Sequence, residues 1–83
     1  MAGKEGKEYY GKHRAICKDV HDPEQLGRIR VQCPSIFGAA LSEWAWPNVP
    51  PGMLVIPEEG ECVWIEFEDG DIRYPIWTGV LVS

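Results

Sequence analysis

Four carboxylates, Glu66, Glu68, Asp69 and Asp71, crowd around Gly70 and are the first residues whose type and spacing could do chemistry. Clustered oxygen ligands can hold Ca²⁺, and paired carboxylates are the machinery of glycoside hydrolysis. Neither use suits this chain. The twelve-residue loop of an EF-hand is missing, and a chain of 83 residues has no separate domain to supply a substrate cleft. The carboxylates read instead as a solvated hairpin tip whose charge resists edge-to-edge strand pairing.

The remaining reactive side chains are equally sparse. His13 and His21 are the only histidines, and the three serines Ser35, Ser42 and Ser83 have no G-x-S-x-G setting. Cys17, Cys33 and Cys62 lack the C-x-x-C spacing of zinc and redox sites. They read as buried thiols acting as small hydrophobes, with a disulfide within or between chains as the alternative. No catalytic, metal or cofactor site is expected.

Aromatic residues are more informative. Tyr9, Tyr10, Trp44, Trp46, Trp64, Tyr74 and Trp77 could form a stacking platform for single-stranded nucleic acid. Such a platform needs basic neighbours, and the formal net charge is −5. Large aromatics on the outside of a small domain are more often anchors covered by a partner, the reading taken for Trp46 and Trp64.

The elements that must position these residues are strands. Val63, Ile65 and Phe67 alternate with Trp64 and Glu66, the pattern of a half-buried strand. Asp69-Gly70 signals a tight turn, and residues 72–78 form the return strand. There Ile72, Tyr74, Ile76 and Thr78 share a face, and Trp77 points the other way. Upstream, residues 9–18 or 9–20 form a first strand that can bend at Gly11 and Ala15. Residues 21–27 are a turn opened by Asp22-Pro23 and closed by Gly27. Residues 28–33 are a strand with Ile29, Val31 and Cys33 facing in, and residues 34–43 are a loop with room for one helical turn. A short third strand over residues 44–49 presents Trp44 and Trp46 on one face, and Pro50-Pro51-Gly52 ends it. About five strands with one long middle connection suit an all-β fold, a small five-stranded OB-type Greek-key barrel. An SH3-like barrel is the nearest competitor. Residues 1–8 are expected to be a flexible tail and residues 9–83 the single domain.

Several of these blocks, taken in order, resemble one family. Tyr9-Tyr10-Gly11-Lys12, Asp22-Pro23, Leu26-Gly27-Arg28-Ile29-Arg30-Val31 and Trp44-Ala45-Trp46-Pro47 come first. Ile56-Pro57-Glu58-Glu59-Gly60-Glu61, Val63-Trp64-Ile65-Glu66-Phe67-Glu68-Asp69-Gly70-Asp71 and Pro75-Ile76-Trp77-Thr78-Gly79 follow. Together they resemble the OB-fold domain of contractile-tail spike proteins, found in phage baseplate assembly protein V and the valine-glycine-repeat spike of type VI secretion. The chain departs from that pattern at Trp46, where arginine is common, and at Pro50-Pro51-Gly52-Met53, where a longer Gly-rich loop is usual. It also stops at Ser83, where relatives continue into a β-helical needle.

The resemblance implies a structural protein of the virion tail baseplate, assembled in the host cytoplasm. It implies a homotrimer that joins a baseplate hub protein to a separate spike or needle protein, without nucleic acid and without membrane contact at rest. A starting Met1 and an early stop favour a needle carried by another chain over an isolated domain. Charge is consistent with head-to-tail or stacked assembly. Residues 1–30 hold seven of the eight basic residues, whereas residues 58–71 hold seven carboxylates and no base. Arg28, Arg30, Trp44, Trp46 and Trp64 are the expected interface residues. Val80-Leu81-Val82 is a candidate docking strand, set against the plainer reading that it completes the last strand of the barrel.

Overall fold

The computed structural model describes residues 8–81. The elements in chain order are β1 (His13–Asp19), β2 (Arg30–Gln32), α1 (Pro34–Phe37), β3 (Trp46–Pro47), β4 (Cys62–Phe67) and β5 (Pro75–Val80), with a 3₁₀ turn over Glu68–Gly70. The strands form one sheet in the order β2-β1-β4-β5-β3. Neighbours are antiparallel except β3 and β5, which run parallel through Trp46↔Ile76 and Pro47↔Trp77. That parallel pair is the Greek-key step of an OB-type fold, because the chain must cross the barrel between the two strands.

The ladder itself stays open, but its edges approach. Ile29, just before β2, exchanges two backbone hydrogen bonds with Ala45, just before β3, at 3.2 and 2.7 Å. Ser42 and Val31 are joined beside it, with the Ser42 amide donating to the Val31 carbonyl at 2.9 Å. These bonds bridge the two edges and satisfy backbone groups that would otherwise be buried unpaired. Register shifts at Cys17/Asp19 and Trp64/Ile65 are bulges, which add the local twist that a small barrel needs.

The core follows the alternation of the sequence. Ala15 and Cys17, Ile29, Val31 and Cys33, Ala45, then Val63, Ile65 and Phe67 point inward, and Trp77 fills the centre. Each fully buried isoleucine contributes roughly 1.5–3 kcal/mol of transfer free energy. Trp77 also ties the core to a loop, its indole N–H donating to the Gly27 carbonyl at 3.0 Å. Tyr9, Phe37, Phe67 and the His13 ring stack over one end of the barrel, with centroids 5.8–6.3 Å apart. All three cysteines are free, Cys17 and Cys33 buried and Cys62 half-buried.

The strand boundaries differ from the sequence expectation: β2 keeps only Arg30–Gln32 of the expected 28–33, β3 only Trp46–Pro47 of the expected 44–49, and β1 and β5 both start later. β1 begins at His13 rather than residue 9, because Gly11 takes φ +82° and turns the preceding residues away from the ladder. Tyr9 and Tyr10 go instead to the distant hairpin, where the Tyr9 amide donates to the Gly70 carbonyl and the Tyr10 ring lies on Gly70. A Cβ at Gly70 would meet that ring at 2.8 Å, so glycine is required there by packing as well as by φ +71°. The hairpin is also longer than a two-residue turn. Phe67 pairs with Pro75, and residues 68–74 reverse the chain through successive turns in which Asp69 takes φ 54°. Pairing resumes at Pro75, a strand start where the missing N–H costs nothing, and β5 then runs on to Val80 with Trp77 inward.

Candidate interaction surface

Asp22 organises the one surface on which several expected residues meet. It follows β1 in the 21–27 turn, and its carboxylate accepts from the amides of Glu24 (2.9 Å), Leu26 (3.0 Å) and Arg28 (3.2 Å). The same carboxylate receives a two-pronged bond from the Arg28 guanidinium, Nε at 3.0 Å and Nη2 at 2.8 Å. Asp-Pro opens the turn because the short carboxylate can bond backbone amides ahead of it in the chain. The fork with Arg28, then the three amides, hold the Asp22 carboxyl well below the usual carboxylate range and raise the Arg28 pKa. Asp22 is buried, its side chain 3% exposed, so this charge is held by partners rather than by water.

Arg28 is therefore a fixed plane rather than a free cation. Its guanidinium lies over the rings of Trp46 and Trp44, at 5.2 and 5.8 Å from their centroids. Arg30 covers Trp44 as well, at 5.8 Å, while its Nε donates to the Ser42 carbonyl at 2.8 Å. Trp46, Arg28, Trp44 and Arg30 thus form a ladder of alternating ring and guanidinium across the bridged edge of the sheet. Stacking of this kind adds about 0.5–1 kcal/mol per exposed pair. Trp44, which precedes β3, and Trp46, its first residue, lie on one side of the chain, as the sequence pattern expects, because buried Ala45 separates them with strand alternation. Trp46 remains 51% exposed, the outermost rung.

The other expected interface residues lie elsewhere. Trp64 is on β4 opposite Arg14 of β1, whose guanidinium is 5.4 Å from its ring. Because β1 separates β2 from β4 in the sheet, Trp64 is not part of the ladder. Val80 pairs with Val63, and Leu81 extends the strand by donating to the Cys62 carbonyl at 2.9 Å. Val82 lies outside the described residues. Sequence reading gave Asp22 only as the opening of the turn, not as the partner of Arg28, and gave Ser42 no role. The signal for Asp22 was its place in Asp-Pro six residues before an arginine. Ser42, whose hydroxyl accepts from the Val31 amide and donates to the Glu43 carbonyl, left no comparable pattern.

Two of the hairpin carboxylates are held in ion pairs. Glu66 faces Lys12 at 3.4 Å, and Asp71 holds Arg73 in a fork at 3.0 and 2.6 Å. Among the described residues, no group of three or more His, Cys, Asp or Glu side chains is placed to hold a metal ion.

The strand order, the parallel β3–β5 pair and the bridged edges define a five-stranded OB-type barrel that carries an aromatic–guanidinium surface. Residues 13–81 match the family of type VI secretion system and phage-baseplate injector OB domains, and the chain belongs to that family. It is accordingly a structural domain of a baseplate or spike. No curated protein matches the chain.

Proposed function

We propose that this chain is a non-enzymatic, trimeric OB-fold adaptor of a contractile tail, joining a hub to a membrane-piercing needle carried by another chain. The observation that carries this reading is the Trp46–Arg28–Trp44–Arg30 ladder, a rigid and partly exposed anchor whose central charge is already neutralised by Asp22. Pre-ordered aromatic and arginine side chains are what protein interfaces use as anchors, since little conformational freedom is left to lose on binding. The work is mechanical, the transmission of axial force through interfaces between copies and to hub and needle.

One observation favours a second reading. Alternating tryptophan and arginine can also stack single-stranded bases. Against it, Arg28 spends its guanidinium on Asp22, and the net charge of −5 repels phosphate. Light scattering coupled to size exclusion tests the adaptor, with a trimer expected. A strict monomer at high concentration, with and without the hub protein, would overturn it. Tight and salt-sensitive binding of a labelled oligonucleotide would favour the second reading.

A further inference from the structure

Residues 53–56, Met-Leu-Val-Ile, form the most apolar exposed segment of the described chain. They are 63%, 48%, 75% and 38% exposed in that order. The numbers alternate as a strand does. Leu54 is seated against Gly27, where a Cβ would meet it at 3.0 Å, and with Ile56 it lines a cavity shared with residues of the 20–27 loop, while Met53 and Val55 are the more exposed pair. The main-chain groups of residues 54–56 make no hydrogen bond to any described residue. An apolar segment with alternating exposure, whose main-chain groups from Leu54 to Ile56 are unpaired, offers what an added strand needs.

We propose that residues 53–56 pair with the free edge of β5 in a neighbouring copy of this chain, at Thr78–Gly79–Val80, so that copies join head to tail. The inference rests on the self-assembly part of the function proposed above and specifies its contact. Three features point to a second copy. The receiving edge is present on the same molecule. β3 leaves β5 after Pro47↔Trp77 and the bond from the Asn48 amide to the Trp77 carbonyl at 2.9 Å, so among the described residues no strand covers Thr78–Val80 on that side. The two segments also match in charge. No charged residue occurs from Trp44 to Pro57 or after Arg73, so the pair meets without burying a charge, whereas the β2 edge is already bridged to Leu41, Ser42 and Ala45 of its own chain.

Area supplies the third argument. The exposed side chains of residues 53–56 amount to a few hundred Å², the size that marks an interaction site. A stable interface takes about 800 Å² from each partner. In a ring each copy gives its ribbon to one neighbour and receives a ribbon from the other, which doubles the surface covered per molecule. A two-fold dimer of ribbons covers only one patch per copy. Head-to-tail contacts close into rings when the rotation allows. Pro50, Pro51 and Pro57 bracket the ribbon and stop the ladder from spreading beyond one short strand.

The test mixes two variants in a Cys62→Ser background, Val55→Cys and Val80→Cys, and oxidises them. A cross-linked dimer is expected only in the mixture, together with loss of the oligomer peak in Val55→Asp while its far-UV dichroism stays that of the wild type. Met53→Lys, at the other outward position, is expected to behave like Val55→Asp. A cross-link in Val55→Cys alone would show a two-fold contact and overturn the head-to-tail pairing. A wild-type oligomer that survives both charged variants, without a mixed cross-link, overturns the pairing and leaves the trimer standing. A monomeric wild type removes the self-assembly reading and the pairing with it.

Discussion

The molecule contains two aspartate–arginine forks of nearly identical geometry and very different meaning. Asp22 and Arg28 are six residues apart, meet at 2.8 Å with side chains 3% and 14% exposed, and hold three backbone amides and two indole rings in place. Asp71 and Arg73 are two residues apart and meet at 2.6 Å, but Arg73 is 58% exposed and its guanidinium lies beside the Tyr74 ring rather than over an indole ladder. Distance alone does not rank them. What separates them is how much of the fold each fork fixes, and how little water remains to replace a lost partner.

Removing the carboxylate tests that difference most severely. Asp22→Asn is expected to lower the midpoint of thermal unfolding on the order of 15 °C, since a charged partner is left buried and three amides lose an anionic acceptor. Tryptophan fluorescence should shift at the same time as Arg28 releases Trp44 and Trp46. An Asp22→Asn melt within two or three degrees of wild type would show that the fork is ornamental to stability.

Acid should reproduce part of that loss. The Asp22 pKa is lowered in the folded state, chiefly by Arg28, so the unfolded chain takes up the proton first as pH falls. The stabilisation is therefore full above the unfolded value, near pH 4, and is lost progressively as pH drops below it toward the folded value. Melting midpoints between pH 6 and pH 2 should fall more steeply in the wild type than in Asp22→Asn. Parallel curves would contradict the assignment.

A smaller effect is expected at the other fork. Asp71→Ala should cost no more than a few degrees, because an exposed arginine recovers its hydration when its partner is removed. Equal losses in Asp22→Asn and Asp71→Ala would erase the distinction between the two. The same contrast between inside and outside extends to the thiols, with no effect on stability at neutral pH. Burial, and then the charges of Glu59, Glu61 and Asp19, push the Cys17 thiol up to about 11. At pH 8 only about a thousandth of it is thiolate, so iodoacetamide should label half-buried Cys62 well before Cys17, as peptide mass mapping would show.

Much of the fold was legible because strand alternation reports burial directly. Val63, Ile65 and Phe67 read as one inward face, and so did Ile29, Val31 and Cys33, and each set is buried. The short helical turn after Pro34 and the common side of Trp44 and Trp46 were equally readable. The hairpin misled, since Asp69-Gly70 is a strong local turn signal but Pro75 and the fork of Asp71 with Arg73 stretch the reversal to residues 68–74. Of the candidate surface, the sequence supplied Arg28, Arg30, Trp44 and Trp46 but not the aspartate beneath them.

The amino-acid order alone was enough to show which residues of 29–33 and 63–67 face inward and that Trp44 and Trp46 share a side, because alternation depends on neighbours one to four positions away. Only the tertiary structure decided that Trp64 stands apart from Trp44 and Trp46, that Tyr10 covers Gly70, and that residues 53–56 lie open beside Gly27. Those relations depend on how the barrel edges meet across Ile29 and Ala45, a contact between residues far apart in sequence that no local pattern encodes.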